Sequence, residues 1–289
     1  MQLWNYTDRF VRERKILNNV SAATADWYHY SLKAFKPALE AEYQSPAELR
    51  AAIITRIGEL RGEGRGNKAV SVNTYPRCLK AFLNWCFEEQ IVKERVKLSW
   101  LKEEEKVLTP LRPEHIKRLV DYKPVQRSGM RLRAIILTAL DTGLRLNELL
   151  GLLRTDVDFD NFCLRVKGKG KKERLIPMSV ELRKILCRHL ASHEYRLVFC
   201  TLQAKQMSKR NLLRDFKELA GLLRITGVRC SLHTCRHSFA VNYLRAGENV
   251  LYLQRILGHT SLEMTNRYCR SLGIDDLKAV HSGLSLLSR

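Results

Sequence analysis

Four short stretches carry side chains able to do chemistry. In LGHTSLEMTNRY (257–268), His259 follows a glycine at the end of an apolar helical stripe, and Tyr268 comes nine residues later. Val250, Leu253, Ile256 and Leu257 make the stripe, and Gly258 is a natural helix stop. Thr260 with Glu263 has the spacing of a capping box, so a new helix is expected there, with Tyr268 roughly 12 Å along it. A tyrosine on a helix surface either packs or reacts. To react, a phenol with an ordinary pKa of about 10 needs help in losing its proton.

In SLHTCRHSFAVNYLRAG (231–247), His233 and Arg236 lie one turn apart and share a helical face. His237 rotates away towards Val241 and Leu244 and reads as a packing or hydrogen-bonded core histidine. In TGLRLNELLGL (142–152), Gly143 ends one helix and the next begins almost at once, leaving Arg145 near the turn. Taken alone, Arg145 is best read as the partner of Glu148 three residues on. RVKGKGKKER (165–174) sets Arg165, Lys167, Lys169, Lys171, Lys172 and Arg174 around a Gly/Lys turn against a single Glu173. Such a cationic turn either tracks phosphates or is a solvated surface loop. Cys230, His233, Cys235, His237 and His259 are close in sequence, but no pair has finger-type spacing, so no metal site is expected.

The elements that must position these groups fall into two regions. The first hundred residues read as helices. SAATADWYHYSLKAFKPAL repeats Trp27, Tyr30, Leu32 and Phe35 at helical spacing; SPAELRAAIITRIGELRGEG enters on Ser-Pro and stops in glycines. SVNTYPRCLKAFLNWCFEEQ predicts a further helix with Pro76 in its first turn, where proline costs least. KLSWLKEEEKVLTPLRPEH then carries a charge run and two prolines, and is taken as a linker over residues 103–108. Beyond it Pro113 opens a helix, RLRAIILTALDTG is a buried helix, FCLRVKGKGKKERLIPM a hairpin, and YRLVFCT a short strand. The fold expected is therefore mainly α with a small β-sheet, in domains of residues 1–102 and 109–289.

Composition narrows the partner. Lys and Arg total 51 against 30 Asp and Glu, a net charge of +21, which calls for a polyanion bound through phosphate neutralisation. An anionic membrane would need a basic amphipathic helix or a lipidation motif, and neither is found. No signal-peptide pattern and no bilayer-length apolar run is seen, and the eight cysteines are scattered without a CxxC pair. The expected setting is the reducing cytoplasm, at the nucleoid.

Together, in this order, the stretches resemble the tyrosine recombinases of the phage integrase family, especially its two-domain, Xer-like members. TGLRLNELLGL resembles the family's first-arginine box, VKGKGKKERLIPM its lysine hairpin, HTCRHSFA its His-x-x-Arg box, and LGHTSLEMTNRY its His-to-Tyr box. The resemblance covers the catalytic half and, less specifically, the helical N-terminal half, which is similar to the family's SAM-like core-DNA-binding domain. It implies that Arg145 and Arg236 grip the scissile phosphate. Lys169 would be the general acid for the leaving 5′ oxygen, His233 the general acid/base, His259 a supporting hydrogen-bond donor and Tyr268 the nucleophile. Glu148 and His237 would give structural support, and Arg165, Lys167, Lys171, Lys172 and Arg174 would contact DNA.

This chemistry is consistent with the residue types. Two permanently charged, forked guanidiniums offset the charge that builds on phosphate, with no metal or other cofactor required. Attack by Tyr268 leaves a 3′-phosphotyrosyl ester and a free 5′ hydroxyl, so rejoining needs no ATP. The resemblance implies a partner of double-stranded DNA with paired core sites, two protomers per site and four in the synapse, or mixed assembly with a related recombinase. The tail after Tyr268, with Leu277, Val280 and Leu284 apolar, is expected to dock on a neighbouring protomer. No added N-terminal arm-binding domain is seen, which favours an Xer-like or transposon-borne enzyme over other members. The rivals are a type IB topoisomerase-like activity and a non-catalytic DNA-binding regulator of the same fold.

Overall fold

A computed structural model of the chain describes residues 2–62, 69–98, 108–168, 173–276, 278 and 281. The chain divides into two compact units, Met1–Lys106 and Val107–Arg289. Most of the expected linker, and Leu277, Val280 and Leu284 of the expected docking tail, lie outside the described residues.

The first unit is helical. A 3-10 turn, Leu3–Tyr6, leads into α1 (Thr7–Leu17), followed by α2 (Ala22–Lys33), α3 (Lys36–Glu40), α4 (Pro46–Gly62) and α5 (Ala69–Glu88). Ser21 caps α2 by accepting from the Thr24 amide. Phe10, Leu32, Phe35, Leu39, Ile53, Leu79 and Phe82 form the buried core, with Phe10 edge-on to Phe82 at 5.4 Å. Two expectations change here. Tyr30, counted in the apolar stripe, is exposed, because α2 turns its Leu32 side inward. Pro76 stands in the interior of α5, because the helix starts at Ala69, seven residues earlier.

The second unit holds α6 (Pro113–Asp121), α7 (Arg127–Thr142), α8 (Leu146–Leu150), β1 (Val157–Asp158), β2 (Cys163–Lys167), β3 (Glu173–Pro177), α9 (Val180–Leu190), α10 (Lys209–Leu222), α11 (Leu232–Arg245), α12 (Val250–Leu257) and α13 (Leu262–Cys269). The strands form an antiparallel meander, β1-β2-β3, with Val166 opposite Arg174 and Lys167 opposite Glu173. Along β2, Leu164 and Val166 face the core while Arg165 and Lys167 face out, as the two-residue period requires. Pro113 begins α6 as expected. Helix α7 is buried from Ala134 to Ala139, and α11 from Thr234 to Ser238, so these two helices form the centre of the unit. The expected strand YRLVFCT is reduced to isolated bridges, Leu197 with Leu153 and Cys200 with Gln206.

Two glycines shape the turns that lead to the site. Gly143 ends α7 at φ +62°, and a Cβ there would come within 2.5 Å of Phe239 and 2.9 Å of Leu257. Gly258 ends α12 at φ +64°, with a Cβ position 3.0 Å from the Arg174 guanidinium. Gly143→Ala is expected to cost about 2–4 kcal/mol in urea unfolding, from left-handed strain plus overpacking. Gly58→Ala, inside α4 with open space around it, should instead stabilise by about 0.5–1 kcal/mol.

Candidate active site

The site is built around a buried carboxylate. Arg145 occupies the N-cap of α8, and its amide donates to Glu148 Oε2 at 2.9 Å while its Nη1 donates to Oε1 at 3.1 Å. From β3, Arg174 donates to the same carboxylate through Nη1 at 3.0 Å and Nη2 at 2.8 Å. The Glu148 side chain is 7% exposed and that of Arg174 14%. Burial would raise the Glu148 pKa, but the hydrogen bonds and charges of Arg174 and Arg145 outweigh it and hold the group below the usual carboxylate range.

Three guanidiniums also fasten onto carbonyls at helix C-termini, which lack partners within their own helices. Arg174 Nε donates to Ile256 O at 2.8 Å, and Arg145 Nη2 to Gly258 O at 3.0 Å. Arg236, 5% exposed on α11, donates through Nη1 to Gly143 O at 2.6 Å and through Nη2 to Leu257 O at 2.9 Å. The ends of α7 and α12 thus hold the arginines, and glycine at 143 and 258 lets them come close.

The same Nη2 of Arg236 lies 2.9 Å from His259 Nε2, and His259 Nδ1 lies 2.9 Å from Thr265 Oγ1. The His259 and Tyr268 rings stack at 5.9 Å with an 11° interplanar angle. The Tyr268 ring also leans on His237 at 5.3 Å, and Ser271 Oγ lies 3.4 Å from His237 Nε2. Tyr268 is close enough to Arg236 to favour its charge. His259 is pushed down to about 4, first by burial and then by Arg236, Arg145 and Arg174. His237 is lowered by burial and His233. His233, although it reaches the surface on the first turn of α11, is lowered by partial burial and by Arg236, Arg229 and Arg267.

The structure therefore brings Arg145, Glu148, Arg236, His237, His259 and Tyr268 together, with His233 at the rim beside Arg236. Lys169, Lys171 and Lys172 lie outside the described residues. Arg165 and Lys167 are exposed on β2, Lys167 lying 3.6 Å from Glu173. Arg174 departs from the expected DNA contact: all three of its nitrogens are committed to Glu148 and Ile256, so it is an internal tie. The capping box also fails, because Ser261, not Thr260, is the N-cap of α13 and no side-chain cap bond forms there; the Thr260 hydroxyl turns to Met264. Sequence reading missed the positions of Arg174 and Thr265. Thr265 lies three residues before Tyr268, on the same helical face, and that spacing was its signal.

Residues 109–273 match the phage integrase family. The chain is 31% identical over 204 residues to tyrosine recombinase XerC of Chlamydia trachomatis, covering 66% of this chain and 63% of that protein. It is 30% identical over 260 residues to tyrosine recombinase XerA of Pyrococcus furiosus, covering 88% and 85%. Among solved structures, the Tn1549 transposon integrase in complex with circular intermediate DNA superposes with a TM-score of 0.80 at 20% identity, over 99% of this chain and 100% of that one. The chain belongs to the phage integrase family of tyrosine recombinases, and spans about 63% of the length of the Chlamydia trachomatis relative it matches.

Two outcomes test the architecture of the site. Arg174→Met should cost about 2–4 kcal/mol in stability, by stripping a buried carboxylate of a partner. Adding Glu148→Met should cost less than the sum of the two single changes, measured in a double-mutant cycle of urea unfolding. The site histidines, His233, His237 and His259, titrate lower folded than unfolded, so the unfolded chain binds more protons below about pH 6.5. Stability should therefore be full above that pH and decline as pH falls towards about 4, where His259 titrates. His259→Gln should flatten the decline; an unchanged slope would place its origin elsewhere.

Proposed function

We propose that this chain is a site-specific DNA recombinase that cuts and rejoins DNA through a covalent 3′-phosphotyrosyl intermediate. The observation that carries the reading is the seating of Arg145 and Arg236 on the turn from Leu257 to His259, with the Tyr268 ring stacked on His259. In this reading the two guanidiniums bind the non-bridging oxygens of the scissile phosphate and offset the charge that develops there. The Tyr268 oxygen attacks phosphorus, its proton passing to His233, and the bond to the 5′ oxygen breaks. Lys169 protonates that oxygen, and a 5′ hydroxyl from a second duplex reverses the step to close the exchange.

Residues 109–289 act as the catalytic domain and residues 1–102 as a helical core-DNA-binding domain. The net charge of +21 supports a DNA partner, as does the DNA complex of the Tn1549 integrase, whose fold this chain shares. Two protomers occupy each core site and four form the synapse, in the cytoplasm. Among the described residues, no helix is long and apolar enough to cross a membrane.

The test uses a nicked suicide duplex carrying a core site selected from a randomised pool. Wild type should form a covalent complex stable to denaturant, in excess EDTA as well as without it. Tyr268→Phe should form none, and Arg145→Ala or Arg236→Ala should slow cleavage by roughly 10²–10³-fold, the loss seen when one transition-state donor is removed. A complex that survives Tyr268→Phe would sink the nucleophile assignment. Plasmid relaxation without recombinant product would replace recombination by a topoisomerase activity.

A further inference from the structure

The hydrogen bonds around His259 fix where its proton lies. A guanidinium nitrogen only donates, so the Nε2 that Arg236 reaches at 2.9 Å is the bare, accepting nitrogen. The one proton of a neutral imidazole is then on Nδ1, which donates to Thr265 Oγ1 at 2.9 Å. The backbone of His259 is fixed independently: its amide donates to Gln254 O at 3.1 Å, and its carbonyl accepts from Gln254 Nε2 at 3.4 Å. What remains free is the imidazole proton. Of the groups near the ring, Arg236, Arg145, Arg174, Glu148, Tyr268 and Thr265, one is hydrogen-bonded to Nδ1 and can both donate and accept there. That group is Thr265, on the helix that carries Tyr268 and 0% exposed.

This arrangement is at odds with a simple donor role for His259. With Nε2 accepting from Arg236, the ring has no proton to offer a phosphate on that side. A neutral ring can donate from Nε2 only in the other tautomer, whose bare Nδ1 then needs a donor on the side it turns to Thr265, a residue shielded from solvent. We propose that Thr265 is a positioning residue that serves both tautomers of His259, its hydroxyl accepting from Nδ1–H in the resting chain and donating to bare Nδ1 when Nε2–H faces the substrate phosphate. The inference rests on the recombinase reading, in which His259 meets that phosphate. The exchange conserves protons: one is lost from Nδ1 and one gained at Nε2, through solvent at the half-buried ring, while the hydroxyl rotates. Arg236 is released from Nε2 in the same change and turns its Nη2 to the phosphate. The resting bond between Arg236 and His259 therefore holds both groups close to where the substrate needs them.

Three measurements on the full chain test this. First, nitrogen-15 NMR of the free wild-type protein should find the His259 ring protonated on Nδ1; protonation on Nε2 overturns the proposal whatever the variants do. Second, Thr265→Val, which keeps the shape but loses the hydroxyl, should slow single-turnover cleavage of the suicide duplex about tenfold or more, as expected for one lost hydrogen bond in the transition state. DNA affinity should stay within about twofold, and Thr265→Ser should recover most of the rate. Third, in a His259→Ala background, Thr265→Val should add no further loss. An equal loss with and without His259, or no rescue by serine, would mean that Thr265 acts only through packing. A wild-type protein that forms no covalent complex defeats the recombinase reading itself, whereas wild-type cleavage unaffected by Thr265→Val defeats this inference alone.

Discussion

The rest of the site depends on one buried carboxylate. Glu148 is almost fully removed from water, and a carboxylate in that position is tolerated only when both oxygens are hydrogen-bonded. Its partners come from two places far apart in the chain, the turn before α8 and strand β3, and Arg174 reaches on to the end of α12. Satisfying this one charge therefore sets the spacing of the Arg145 turn, the lysine-bearing hairpin and the His259 turn. Breaking a buried pair costs more than making it contributes, so the arrangement works as a constraint on geometry more than as a source of stability.

A second consequence follows from charge. Arg145, Arg174 and Arg236 gather around a single carboxylate, and the surplus positive charge rests on the carbonyl ends of α7 and α12. Helix C-termini carry partial negative charge and unpaired acceptors, so they can seat cations without neutralising them. Burial lowers the pKa of the histidines beside them, helped by His233 at His237 and by the same arginines at His259. What results is a preformed positive site with neutral, hydrogen-bonding rings and a phenol, which on the proposed reading a phosphodiester completes.

Much of this was legible in the sequence because it is local. The helix-glycine-helix pattern around Gly143, the alternation along β2, the start of α6 at Pro113 and the stop at Gly258 all follow from backbone rules acting over a few residues. The misreadings have the same origin. Pro76 looked like a helix start because local rules place proline in a first turn, yet the helix runs on from Ala69. Thr260 had the right spacing for a cap, but the chain enters α13 one residue later. YRLVFCT has strand composition, but among the described residues it pairs only through isolated bridges, and composition says nothing of partners.

By itself, the sequence determined the two-part helical architecture, the hairpin, and the kinds of side chain available for chemistry on an anion, because these depend on residue type and short-range periodicity. Only the tertiary structure decided what each cation does. Arg165, Lys167 and Arg174 are indistinguishable members of one basic run in the sequence; in the fold the first two face out and the third is buried against Glu148. Thr265 was one more polar helix residue until α13 set its hydroxyl on the His259 ring. The direction of a long side chain is settled by partners more than a hundred residues away for Arg145 and some eighty away for Arg174. Those partners are chosen by the need to satisfy a buried charge, a requirement that exists only once the chain has folded around it.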